Sequence, residues 1–164
     1  MSRNLTVMAI DPGCTESAYV IWDGETVIDK AKEPNDGFLR SIRGKLFYAV
    51  DFVAIEQVRS YGMAVGADVF DTVFWSGRFA EAFQIYPTTF EQIPRRTVKM
   101  HLCHNNAAKD ANIIQALRDR FAYGQPNYGK GTKKEPGFFY GFKADIWQSF
   151  ALAVTYWDQL EENE

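Results

Sequence analysis

A chain of 164 residues, 46% hydrophobic and 15% aromatic, has the length of one domain and enough apolar material for one packed core. No stretch approaches the roughly 20 apolar residues of a membrane span, and Met1 to Asn4 has neither the charged flank nor the apolar run of a signal peptide; with only Cys14 and Cys103 as thiols, a soluble, cytoplasmic, reduced protein is expected and a disulfide scaffold is excluded. The formal net charge of -3 is unevenly spread, since residues 94–143 carry ten basic side chains against three acids, a pattern suited either to a phosphate backbone or to a solvated lysine-rich face.

In chain order, residues 5–10 are a short apolar run of strand length that stops at Asp11, where Pro12 and Gly13 force a turn. Residues 17–22 read as a second strand, Asp23-Gly24 as a tight hairpin turn and residues 26–31 as a third strand, giving an antiparallel three-stranded meander. Phe38, Leu39, Ile42, Leu46 and Ala49 have helical spacing, and residues 52–55 form another apolar strand that ends on Glu56. Helical periodicity returns over residues 67–83. The aromatic stripe there, Phe70, Phe74, Trp75, Phe79 and Phe83, reads first as core, and its excess suits a subunit interface. Further helices are expected over about residues 107–121 and from 143 or 145 to 160. Residues 122–142, with five glycines, Pro126 and Pro136, predict a long mobile loop, and residues 158–164 a solvated acidic tail.

Asp11 and Glu56 each follow a buried strand, and Asp145 opens an apolar helix. Singly, these acids suit a turn, a strand end and a helix N-terminus. Together, strands that end side by side bring Asp11 and Glu56 into one place, and a helix across that edge adds Asp145. Such a cluster of like charges is costly without a counterion, and its hard oxygens suit Mg²⁺ or Mn²⁺. Two such ions, roughly 3.5–4 Å apart, activate a water and stabilise the leaving oxygen in phosphodiester hydrolysis.

The motifs themselves resemble those of the RuvC resolvases, nucleases of the RNase H-like superfamily. A-I-D-P-G at residues 9–13 resembles the family's first strand and metal-binding aspartate, and A-I-E-Q-V at 54–58 its second acidic motif. P-R-R-T-V-K at 94–99 and A-A-K at 107–109 are similar to two basic elements, which implies DNA-backbone contacts at Lys99 and Lys109. D-I-W-Q-S-F-A-L-A-V at 145–154 resembles the closing helix, and its D-x-W, with Y-G-M-A-V-G at 61–66, is most similar to RuvC-like proteins of bacteriophages. The order of motifs is kept across nearly the whole chain.

The resemblance implies an α/β, RNase H-like fold spanning residues 1–164, with a mixed five-stranded sheet and flanking helices. It implies a homodimer that cuts four-way and other branched DNA, with Asp11, Glu56 and Asp145 catalytic and metal-binding and neither nucleotide cofactor nor membrane involved. Two positions depart from the family. Gln148 stands where a fourth acidic ligand is expected and offers one neutral carbonyl oxygen, so that water, substrate or another acid such as Asp110 would complete the site. Arg59 replaces a DNA-stacking aromatic, with Tyr61 nearby, and each has a planar face for an unpaired base.

Lys130, Lys133 and Lys134 lie in a G-K-G-T-K-K string that lacks phosphate-loop spacing and suits a DNA backbone better. His101, Cys103 and His104, with Cys14, lack the spacing of a structural zinc site. Competing readings are an actin-like ATPase, from D-P-G-C-T at 11–15, a non-catalytic junction-binding protein, and a relaxed flap or RNA nuclease.

Overall fold

The computed structural model describes residues 4–164, so the expectation drawn from Met1, Ser2 and Arg3 lies outside the described residues. Five strands, β1 (Val7–Asp11), β2 (Glu16–Trp22), β3 (Val27–Pro34), β4 (Phe52–Gln57) and β5 (Thr89–Pro94), form one sheet in the order β3-β2-β1-β4-β5. The β1–β2 and β2–β3 pairs are antiparallel, whereas β1–β4 and β4–β5 are parallel. The mixed sheet and its opening meander are as expected.

Helices cover both faces, which is why β1 and β4 are continuous apolar runs rather than alternating ones. Successive strand side chains point to opposite faces. Val7, Ala9, Ala18, Val20 and Ala54 meet α3 (Arg95–Cys103), α4 (Asp110–Phe121) and α5 (Ile146–Glu162). Met8, Ile10, Tyr19, Ile21, Val53 and Ile55 meet α1 (Asn35–Arg43) and the C-terminal part of α2 (Ala67–Ala82). Helix α5 is central to the first layer, with every residue from Ile146 to Tyr156 buried except the half-buried Gln148. No helix among the described residues is long and apolar enough to cross a membrane.

Several elements differ from the sequence reading, each for a physical reason. The helix expected over residues 38–49 begins earlier and stops at Arg43, because Gly44 caps it and Lys45 takes φ 61°. Its early start is fixed by the buried Asn35, whose Nδ2 donates to the Gly13 carbonyl at 2.8 Å while its Oδ1 accepts from Ser17 Oγ at 2.6 Å. Strand β3 runs on to Pro34, which brings Lys32 into the sheet opposite Ala18. Strand β5 and helix α3 carry too little apolar signal to be read: only Ile93 and Val98 of them are buried.

Residues 122–142 are a built segment rather than a free loop. A hairpin closes between Gly131 and Pro136, with Thr132 N–H on the Glu135 carbonyl at 3.0 Å and Phe139 N–H on that of Gly129 at 2.8 Å. Gly131 is required there, since its φ is +65° and a Cβ would collide with the Glu135 carbonyl. Phe138, Phe139 and Phe142 anchor the hairpin in the core, Phe139 lying 4.7 Å from Trp147 and Phe142 5.4 Å from Phe150 between ring centroids. The acidic C-terminus also differs from a solvated tail: α5 continues to Glu162, and Asp158 holds Arg120 of α4 and His101 of α3, each at 2.7 Å. Residues 161–164 are exposed.

Candidate active site

Register alone brings two of the acids together. Ala9 lies opposite Ala54 and Ile10 opposite Ile55 in the parallel β1–β4 pair, so one further step sets Asp11 beside Glu56. Both point to the α5 face, because Ala9 and Ala54, two residues before them, lie in that core. Asp145 is the N-cap residue of α5 and its carboxylate makes no capping hydrogen bond. It acts electrostatically on both other acids.

The turn after Asp11 is fixed by Gly13. A Cβ there would collide with the Glu16 carbonyl, and Gly13 N–H donates to Ser17 Oγ at 3.1 Å. This amide is the kind of group a phosphate loop offers to a nucleotide, and here it is engaged within the turn.

The electrostatics are those of crowded carboxylates. Burial, then the neighbouring charges of Glu56 and Asp145, push the Asp11 carboxyl well above the usual carboxylate range, and Arg95 opposes them. Glu56 is also raised, first by burial and then by Asp110 and Asp145, against the Arg95 charge and its hydrogen bond with Asp11. The two acids therefore behave as a pair sharing protons.

Two cations flank the acids, and the sequence reading assigned neither to the site. Arg95, the first residue of α3, has Nη1 3.8 Å from Glu56 Oε2 and pairs through Nη2 with Asp110. Lys32 has Nζ 2.7 Å from Asp145 Oδ2. Lys32 was legible in principle: Asp11 pairs with Ala18 and Ala18 with Lys32, so extending the register through the meander leads directly to it.

The carboxylates fit a hard divalent cation through their oxygen donors and their mutual repulsion. Among the described residues, no group of three or more His, Cys, Asp or Glu side chains is drawn close enough to hold a metal, and Asp145 is paired with Lys32. Gln148, one turn beyond Asp145, is half-buried. Asp110 pairs with Arg95 instead of completing the carboxylate group.

The other candidate residues are dispersed. Lys99, Tyr61, Arg95, Arg96 and Asn106 line a cleft of about 210 Å³ that reaches the acids through Arg95, and the Arg96 guanidinium lies 5.5 Å from the Tyr61 ring centre. Arg59 is exposed and donates to Gln57 Oε1 at 2.7 Å. Lys109 is exposed at the start of α4, its N–H donating to Asn112 Oδ1 at 2.9 Å. Lys130, Lys133 and Lys134 are exposed on the hairpin.

No protein-family model matches the chain, and no curated protein does so. Among solved structures, Thermus thermophilus RuvC is similar over 97% of each chain, with a TM-score of 0.67 and 16% identity. The chain has the fold of RuvC. The same protein in complex with a Holliday junction substrate is similar over 97% of this chain and 96% of the other, with a TM-score of 0.68 and 14% identity. Within the RuvC fold, this chain's own register puts Asp11 and Glu56 at adjacent strand ends, with Asp145 at the head of the covering helix.

Proposed function

We propose that the chain is a divalent-metal-dependent endonuclease that resolves four-way DNA junctions. The observation that carries this reading is the raised, paired carboxyls of Asp11 and Glu56 under the charge of Asp145, on a fold shared with a protein solved on a Holliday junction. Asp11, Glu56 and Asp145 would hold Mg²⁺ or Mn²⁺, with the Gln148 carbonyl as a neutral fourth donor. Two such ions, if held there, would supply a nucleophilic water at neutral pH and charge neutralisation at the leaving oxygen. The chain's own side chains bind and orient: Lys99 and Lys109, with Lys130, Lys133 and Lys134 on the hairpin, grip backbone phosphates, while Tyr61 and Arg59 offer planar faces to an unpaired base.

A four-way junction has two-fold symmetry, so paired incisions need two such sites related by one axis, and a homodimer is part of the proposal. Kinship with RuvC-like proteins of bacteriophages is part of the same proposal, supported by the D-x-W and Y-G-M-A-V-G strings.

The test compares four-way junction, three-way junction, flap, RNA–DNA hybrid and linear duplex at two salt concentrations with Mg²⁺ or Mn²⁺. The expected result is preferred binding and paired nicking of the four-way junction, with binding that weakens steeply with salt. Neutralising Lys99 and Lys109 should lower the salt slope by about one unit for each phosphate the chain no longer neutralises, with the metal requirement unchanged. Equal cutting of all five substrates would leave a nuclease and remove the resolvase; no cutting of any, with tight junction binding, would establish a non-catalytic binder.

A further inference from the structure

Resting on the nuclease reading above, the geometry points to Lys32 as a phosphate-binding residue of the active site, whose ammonium occupies Asp145 until metal and DNA are bound. Lys32, Ala18, Asp11 and Glu56 form one row across four adjacent strands, on the sheet face that α5 covers. The Lys32 side chain reaches along that row to Asp145, with Nζ 2.7 Å from Oδ2, and remains 34% exposed on the edge strand. It is therefore held at the site and open to solvent at once.

An ammonium that close to Asp145 Oδ2 and a divalent ion on the same carboxylate repel each other. Metal entry therefore displaces Lys32 from Asp145, and the anion left within reach of its four-carbon stem is a phosphate of the bound strand. Lys30, two residues earlier on the same face, lies 5.5 Å from the Phe142 ring centre and is not engaged with the acids. Strand β3 thus offers a cation on the side of the carboxylates opposite the cleft of Arg95, Arg96 and Lys99. A DNA strand cut at Asp11, Glu56 and Asp145 would be held on both sides of the break.

The test uses the full chain with Lys32→Met and Lys32→Gln, and Lys30→Met as control. Mn²⁺ affinity is measured by calorimetry without DNA, and the salt dependence of four-way junction binding is measured in Ca²⁺. Removing the competing ammonium should tighten Mn²⁺ binding by about twofold to fivefold, as suits a half-exposed ion pair, in both Lys32 variants and not in Lys30→Met. The salt slope should fall by about one in the Lys32 variants and return in Lys32→Arg. A merely structural ion pair gives a lower melting temperature with unchanged or weaker Mn²⁺ binding and an unchanged slope, and that result would overturn the proposal. Folded wild-type protein that binds no Mn²⁺ would instead overturn the nuclease reading, and this assignment with it.

Discussion

Asp11 and Glu56 hold protons in the folded chain at pH values where the unfolded chain has released them. A carboxyl whose folded pKa is raised leaves stability intact at and below the usual carboxylate range and erodes it as pH rises through the folded value. Without metal, the wild type should therefore lose stability from about pH 4 upward through this pair. Asp11→Asn removes the repulsion, so in EDTA it should melt at a higher temperature than the wild type at pH 8, with the difference vanishing near pH 4. Mn²⁺ should raise the wild-type melting temperature and leave the variant nearly unmoved. A variant less stable than wild type by the same margin at both pH values would mean that Asp11 is an ordinary fold-stabilising carboxylate.

Asp158 shows the opposite sign and belongs to the scale of elements, because it ties together α3, α4 and α5. Burial alone would raise its carboxyl, but hydrogen bonds and charges from Arg120 and His101 outweigh that and hold it below the usual range. Its contribution is present above the unfolded carboxylate range and fades as pH falls through the folded value. Asp158→Asn should cost about 1–2 kcal/mol at pH 7, since the acid is largely buried and Arg120 half-exposed. Chemical denaturation at pH 7 and pH 3 checks this: the gap to wild type should be smaller at pH 3 than at pH 7, and a gap of equal size at both would contradict the ion-pair account.

The elements also show how far a sequence can be read. Strands β1, β2 and β4 were legible because both faces of the central strands are buried, which writes them as apolar runs. Strand β5 and helix α3 were not, because an edge strand and a half-exposed helix each bury a single apolar residue, Ile93 and Val98. Counting glycines and prolines hid the hairpin of residues 122–142, whose order comes from three phenylalanines in a distant core. The acids were legible as strand-end and helix-start residues, whereas Lys32 and Arg95 needed the register and packing that a one-dimensional pattern does not carry.

At the scale of the whole molecule, α2 is divided along its length. Phe79 and Ala82 are buried against α1 and the sheet, whereas Phe70 and Phe74 are 66% and 64% exposed, with Val73 beside them. The aromatic stripe is thus core at its C-terminal end and exposed at the other, which makes α2 the surface on which to test the proposed dimer. Sedimentation at micromolar concentration should show a dimer for the wild type and a monomer for Phe70→Asp/Phe74→Asp, with melting temperature little changed. A wild-type monomer, both free and with junction DNA, would count against symmetric resolution.

The carboxylates are what join fold to chemistry, and the most direct measurement is cleavage of a synthetic four-way junction with saturating Mg²⁺ by wild type, Asp11→Asn, Glu56→Gln and Asp145→Asn. Each variant removes one charge of the proposed metal site and deletes no basic side chain, while Glu56→Gln and Asp145→Asn release Arg95 and Lys32 from their ion pairs. The expected result is paired nicks by the wild type and loss of cutting in all three variants, with junction binding within a fewfold of wild type. Full cutting by any variant would remove that residue from the site, and full cutting by all three would contradict the assignment of this acidic row as the active centre.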